Sequence, residues 1–303
     1  MALLNYATQY QSALEQAYPY SLFFGDLYAT PNNGRFRFVD AKTIAISHLS
    51  TTGRVDSDRD TIATATRNYD NSWENKTLTH HRKWSTLVHP RDIDETNQAA
   101  SITNITQVFN EEQKFPEMDA YTISTLYSEW GKLNHTADAT VLSVANVLSV
   151  FDDMMMNMDN ARVPAAGRVL YVTNEVKKML KNAEQVQRYI DVGKKNADID
   201  RTVSRIDEVK IIGVPSTLMK SKYTFDKGYK VATDADQINM LLVHPSAVIT
   251  PVSYSFATLD APSAVTEGKY IYFEESDEDV FILNNKSDAL QFNVTAFSPP
   301  TRG

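Results

Sequence analysis

Between Gly34 and Val88 the sequence alternates polar and apolar residues at both ends and is polar in between, and this arrangement restricts the fold more than any other feature. After the turn signal Pro31-Asn32-Asn33-Gly34, the segments Arg35-Phe36-Arg37-Phe38 and Thr43-Ile44-Ala45-Ile46-Ser47 keep the two-residue period of a strand. Lys76 to Val88 is a second, rougher extended stretch. The polar part, Ser50 to Glu74, carries Arg54, Asp56, Asp58, Arg59, Asp60, Arg67 and Asp70. Together they predict a long hairpin with a charged tip. A two-stranded ribbon is marginal alone in water, so it needs a neighbouring subunit to lie against. Arg54, Asp56, Asp58, Arg59, Asp60, Arg67 and Trp84 are the candidate inter-subunit residues. The competing reading is a disordered surface insertion.

The rest of the chain reads as helix and strand in alternation. Asn5 to Ala17 has weak helical spacing, and the aromatic stretch Tyr18 to Phe24 resembles an arm in need of a surface. Ile102, Ile105 and Phe109 share a helical face, with Asp92 and Asp94 expected near the helix start, where the dipole favours anions. Pro116 is expected to end or kink that helix; a continuation through Ile123, Leu126, Trp130 and Leu133 stops at Asn134. The strongest stripe runs through Val141, Val144, Ala145, Leu148, Phe151, Met155 and Met158. A strand at Arg168 to Val172 then leads, through Asn174 as N-cap, into a helix burying Val176, Met179, Leu180, Ala183, Val186 and Ile190 and ending near Gly193. Further strands are expected at Glu208 to Val214, Met240 to His244, Lys269 to Phe273, Val280 to Leu283 and Ala289 to Phe297. Helix and strand alternate in the middle and strands dominate the ends, which gives an α+β class.

Composition removes whole classes of chemistry. With no cysteine among 303 residues there are no disulfides, thiolate metal sites or cysteine nucleophiles. The longest apolar runs, such as Met240 to Val243, are far too short to span a bilayer, so no membrane partner is expected. Met1 to Tyr6 has neither a basic nor a sustained apolar export region, which places the protein in the cytoplasm where it is made. A net charge of −8 argues against a dedicated nucleic-acid binder.

No catalytic constellation stands out, so no enzyme and no cofactor is expected. Asp56-Ser57-Asp58-Arg59-Asp60 imitates the start of a calcium loop, but Thr61 replaces the glycine and Arg67 the closing glutamate. His80, His81 and His89 lack partners at a metal-binding spacing and are expected to be exposed or interfacial. The acidic run Glu274, Glu275, Asp277, Glu278 and Asp279 and the pair Asp152-Asp153 read as solvated faces. Met154-Met155-Met156 reads as core filling with one residue pointing elsewhere.

Four segments, in order, resemble the major capsid proteins of siphophages of Gram-positive hosts, which have the Hong Kong 97-type fold. They are Val163 to Val172, Ile211 to Pro215, Leu241 to Val248, and Gly268 to Lys286. The resemblance covers about the C-terminal half. It implies an N-terminal arm (1–33), an E-loop (34–90), a P-domain with a spine helix (91–139), an A-domain (140–255) and P-domain return strands (256–303). It also implies hexamers and pentamers of an icosahedral shell around double-stranded DNA, bound without sequence specificity. Further implied partners are a separate scaffolding protein and a portal; the implied location is the virion, after assembly in the bacterial cytoplasm. A lysine-asparagine crosslink of the kind some members form has no recognisable motif around Lys42 or Lys76, so a non-crosslinked shell is expected. The alternatives are an encapsulin-like compartment of the same fold and an unrecognised enzyme.

Overall fold

The computed structural model describes residues 21–34, 36–40, 42–54, 56, 67–95, 101–184, 186 and 203–297. The expected helix from Asn5 to Ala17, the ribbon residues Asp58, Arg59 and Asp60, and the expected helix end at Ile190 to Gly193 lie outside the described residues.

A hairpin forms where the alternation predicts it. Thr43–Thr51 (β1) pairs antiparallel with Tyr69–Thr77 (β2), from Thr43 opposite Thr77 to Thr51 opposite Tyr69. The returning half is shorter than expected. The stretch from Lys76 to Val88 breaks at Leu78, which is buried in a small core with Ile44, Ile249 and Phe281. Beyond it, His80–Val88 (β3) leaves the ribbon and pairs with Tyr270–Glu278. Both pieces are extended, so local periodicity could not separate them; the distinction lies in a partner nearly two hundred residues away.

The helix after the ribbon begins later than expected. Asp92 and Asp94 sit in a separate short helix, Pro90–Glu95. Ile102–Phe109 (α1) has its own cap, Ser101, whose side chain accepts from the Asn104 N–H. Pro116 does not end the helical run. Asn110–Lys114 widens into a π-helical turn, and Phe115–Lys132 (α2) continues with helical dihedrals at both joins. Proline lacks the N–H that would bond the i−4 carbonyl, and its ring crowds that carbonyl. The wider turn placed just before Pro116 accommodates both. Asn134 is the stop the sequence suggests, with a φ of 64° that asparagine tolerates better than most residues.

Val147–Asn160 (α3) starts six residues after the first residue of its expected stripe. The Asn146 side chain accepts from the Ser143 N–H at 2.7 Å and donates to the Val141 carbonyl at 2.9 Å, closing a turn that competes with helix. Val141 and Val144 are therefore exposed, and the buried stripe is Val147, Val150, Phe151, Met154 and Met158. Met154 takes the place expected of Met155, while Met156 points outward.

The core is a five-stranded sheet covered on both faces. Val169–Thr173 (β4) is followed by Asn174–Asn182 (α4), whose N-cap is Thr173 rather than Asn174. Arg205–Ile206 (β5), Val209–Val214 (β6), Gln237–Val243 (β7) and Leu290–Thr295 (β10) complete the sheet in the order β10-β7-β4-β6-β5. β4 and β6 run parallel, with α4 in the chain between them; the pairs of β7 with β4 and β10 are antiparallel. Alternate residues serve different layers. Val169, Tyr171, Leu241, Val243 and Phe292 face Ala120, Ile123, Leu126 and Trp130 of α2. Leu170, Val172, Met240 and Leu242 face α3 and α4. Burial on both faces explains why β4 reads as a continuous apolar run. A bulge between Ile238 and Met240 lets Ile238 join the α2 side with odd-numbered Leu241 and Val243.

A second sheet has three strands: Val252–Asp260 (β8), Tyr270–Glu278 (β9) and β3, in the order β8-β9-β3. β8 is a strand not expected from the sequence, and β9 runs five residues past its expected end at Phe273.

Candidate interaction surfaces

The ribbon is fastened at its root and held as far out as His48, which meets Asn285. Asp279 is the fastening point, and it is buried. Its carboxylate accepts from the Thr79 N–H at 2.8 Å, the Thr79 hydroxyl at 3.1 Å, the Tyr121 hydroxyl at 2.7 Å and the Val280 N–H at 2.8 Å. It thus joins the segment after β2, helix α2 and the C-terminal half of the chain. The Asn284 amide donates to Glu74 at 2.7 Å, and Lys76 sits 3.3 Å from Glu74 and 3.8 Å from Glu129. Farther out, Leu49, Tyr69 and Trp73 are exposed hydrophobic residues on a thin ribbon. An isolated apolar side chain needs no explanation, but several exposed along one thin element mark a contact surface.

Among the candidate inter-subunit residues, Arg54 and Asp56 lie exposed past the end of β1, and Arg67 lies over the Tyr69 ring at 5.3 Å. Trp84 is elsewhere. It lies on β3, stacked on Phe109 of α1 with ring centroids 3.9 Å apart and also beside Tyr272. Its partners belong to its own chain, and the structure does not bring it together with the ribbon charges.

The acidic run of β9 is not a solvated face. Lys114 lies 3.1 Å from Glu274, which also accepts from the Tyr272 hydroxyl, and Arg82 pairs with Glu117. His81 is held between Glu275 and Asp277. Burial pushes the Glu278 carboxyl above the usual carboxylate range, against the opposing pull of Lys114. These charges alternate with partners across β3 and the helix, a pattern that composition alone cannot reveal. A cleft of about 710 Å³ between β3, the π-turn and the Asp226–Gly228 loop is lined by them.

His80 is likewise not exposed or interfacial in this chain. It is buried and stacked on Tyr121 at 3.7 Å, and burial, aided by the Arg82 charge, pushes its pKa down to about 4. The 4.0 Å approach to Glu117 is therefore a contact of neutral imidazole at neutral pH, not an ion pair. His89 accepts from the Arg91 N–H. Among the described residues, no three His, Asp or Glu side chains gather as a metal site. Asp152 and Asp153 are exposed, as expected.

The face of the second sheet turned away from α1 carries exposed apolar residues beside the charges of Glu275, Asp277, His81 and Lys83. Residues directly opposite in register share a face, so Tyr254 and Phe256 of β8 lie with Phe273 of β9 and Leu87 of β3. Tyr254, Phe256 and Leu87 are all exposed. The alternation of Val252, Tyr254 and Phe256 was a legible strand signal.

No protein-family model matches the chain, and no curated protein matches it in sequence. Its fold does match solved structures along nearly its whole length. A structure from Mycobacterium phage Che8 aligns with a TM-score of 0.63 at 14% identity, over 96% of this chain and 98% of that one. The mature capsid of bacteriophage PhiM1 aligns at 0.67 and 11% identity, over 97% and 93%. The capsid of cyanophage P-SCSP1u aligns at 0.63 and 11% identity, over 96% and 93%. The likeness extends well beyond phages of Gram-positive hosts and singles out no host type. The chain has the Hong Kong 97-type α+β fold found in phage capsid structures.

Proposed function

We propose that this protein is the major capsid protein of a tailed bacteriophage, closing into hexamers and pentamers of an icosahedral shell around double-stranded DNA. The observation that carries this reading is the end-to-end match to capsid chains, with over nine-tenths of both partners aligned. The exposed ribbon fits the same role: it is costly in a monomer and becomes covered in a shell, where each subunit touches several neighbours and weak contacts accumulate. The role is structural rather than catalytic, and the place of action is the virion.

The layout follows as 1–33 arm, 34–90 E-loop, 91–139 P-domain with spine helix, 140–255 A-domain and 256–303 return strands, with the ribbon proper ending at Thr77. Arg54, Asp56, Asp58, Arg59, Asp60 and Arg67 contact neighbouring subunits, and Trp84 acts indirectly by fixing the sheet to the spine. Partners are other copies, a separately encoded scaffolding protein and a portal; the acidic chain encloses DNA without binding it tightly. No helix among the described residues is long and apolar enough to cross a membrane. Lys76 meets Asn284 of its own chain at 3.5 Å, which favours a shell without bonds between subunits. Denaturing electrophoresis of particles then shows this chain at 34.1 kDa with no ladder of its multiples.

Negative-stain microscopy of the chain, expressed alone and with its scaffolding protein, tests the reading. Closed shells or six-membered rings support it, and a compact monomer under both conditions refutes it. The same fold in an encapsulin-like compartment is the runner-up; particles filled with protein and free of nucleic acid are the result that favours it.

A further inference from the structure

In the seam between α2 and the second sheet, most charges have a matched partner. Arg82 is held by Glu117 and by the Phe225 carbonyl, Lys114 by Glu274, and Asp279 by its four donors. Glu278 is the exception. It ends β9, mostly buried, on the wall of the cleft between β3 and the π-turn. Among the described residues no group donates a hydrogen bond to its carboxylate. Three carboxylates crowd it, Glu117 of α2 and Glu274 and Asp279 of its own strand end, and Lys114 is the cation that draws on it. From the segment before the ribbon it is faced by the Tyr28 hydroxyl, which is bonded to Thr122 of α2 at 2.9 Å. The other charged groups of the cleft are His81 and Lys83 of β3 and Asp226 and Lys227 of the loop. His80, directly across in register, is uncharged at neutral pH, its pKa being pushed down to about 4.

Carboxylates that share a poorly solvated site repel one another, and a proton held between two of them removes the repulsion and supplies the missing hydrogen bond. We propose that Glu278 is a proton-operated catch between β9 and α2: protonated, it donates to a neighbouring carboxylate and closes the seam, and ionised, it repels Glu117, Glu274 and Asp279 and loosens it. The proton is taken from water and returned to it. Position gives the catch its reach. The next residue is Asp279, where the ribbon root is fastened, so loosening bears directly on the bonds from Thr79 and Tyr121. Burial, with the three carboxylates and against Lys114, holds the Glu278 carboxyl above the ordinary value of 4.5. A raised carboxyl binds its proton more tightly in the folded chain than in the unfolded one. The stabilisation is therefore full below the ordinary value and is lost as pH rises through the folded one. The catch belongs to the single subunit and does not rest on the shell reading.

Hydrogen exchange of the unassembled subunit tests this at the Thr79 and Val280 amides, which both donate to Asp279. Rates are corrected for the intrinsic pH dependence of exchange and compared from about pH 5 to about pH 8. The unsubstituted chain is expected to lose about tenfold in protection at these two amides across that range, while β4 amides keep theirs. Glu278→Gln has the same shape and carries a donor at every pH, so it is expected to hold the low-pH protection throughout; the comparison also cancels the contribution of His80. Carboxyl-carbon magnetic resonance of the unsubstituted chain follows Glu278 without any substitution and is expected to show it titrating above the ordinary glutamate range. Protection that does not change with pH overturns the catch, as does an equal loss in Glu278→Gln or in β4. A Glu278 carboxyl that titrates in the ordinary range overturns it as well, whether or not the variant folds.

Discussion

Replacing Asp279 by alanine removes the acceptor of four hydrogen bonds at one buried point. Hydrogen bonds to a charged group are worth about 1.5–3 kcal/mol each, and a donor left buried without a partner costs about 1–3 kcal/mol. The four are not additive, since water can enter the gap and reach some of the donors. A loss of about 4 kcal/mol is expected, near the upper end for single substitutions. Unfolding entropy is about 2.1 cal/mol/K per residue, so for 303 residues a loss of this size lowers the melting temperature by roughly 6 °C. Asp279→Asn keeps one oxygen and should cost about half as much. The assay is calorimetry of the unassembled subunit, joined to hydrogen exchange. The Thr79 and Val280 amides should exchange much faster in Asp279→Ala, while β4 amides keep their protection. A melting change under about 1 °C, or exchange that rises equally in β4, would refute the idea that Asp279 fastens the ribbon root locally.

Trp84→Ala removes a half-buried indole stacked on Phe109 and should cost the isolated subunit about 2–3 kcal/mol; urea titration of unassembled protein checks this, and an effect confined to assembly would restore Trp84 to an intersubunit contact. Arg67→Glu should leave the subunit melt within about 0.5 kcal/mol of the original yet reduce shell yield; equal losses in both would count against a surface role. Stability should also fall as pH drops from about 6.5 to about 4, because His80 takes up its proton in the unfolded chain before the folded one, with its folded pKa pushed down to about 4. That loss is fully absent above pH 6.5 and amounts to about 3 kcal/mol at pH 4. Glu278, whose pKa is raised, acts in the opposite sense, adding stability as pH falls through its folded value. His80→Gln should flatten the slope in this window; an unchanged urea-midpoint profile would contradict the assignment.

The parts of the fold legible in the sequence are those specified locally. β4 and β6 were placed to within a residue because β4 is a continuous apolar run ended by a cap and β6 is a largely apolar run ended by a proline. The core stripe of α4 was visible at Val176 and Leu180 for the same reason. What escaped depends on distant partners. The division of Lys76 to Val88 between two sheets turns on Leu78 meeting Ile249 and Phe281. The acidic run of β9 looked solvated because its basic partners, His81 and Lys114, lie far away in sequence. Pro116 was expected to end or kink the helix, and the π-turn through which the helix instead continues past it has no composition signature. The ribbon was legible as an element, and its polar tip pointed to a surface role, whereas the stacking of Trp84 on Phe109 joins two elements and has no local signal.

The most direct test of the central claim is a cryo-microscopy reconstruction of purified particles containing this chain. The account predicts an icosahedral lattice of six- and five-membered rings filled with DNA, in which each ribbon from Thr43 to Thr77 lies on a neighbouring subunit. Particles without icosahedral order, or ribbons folded back on their own subunit, would contradict it.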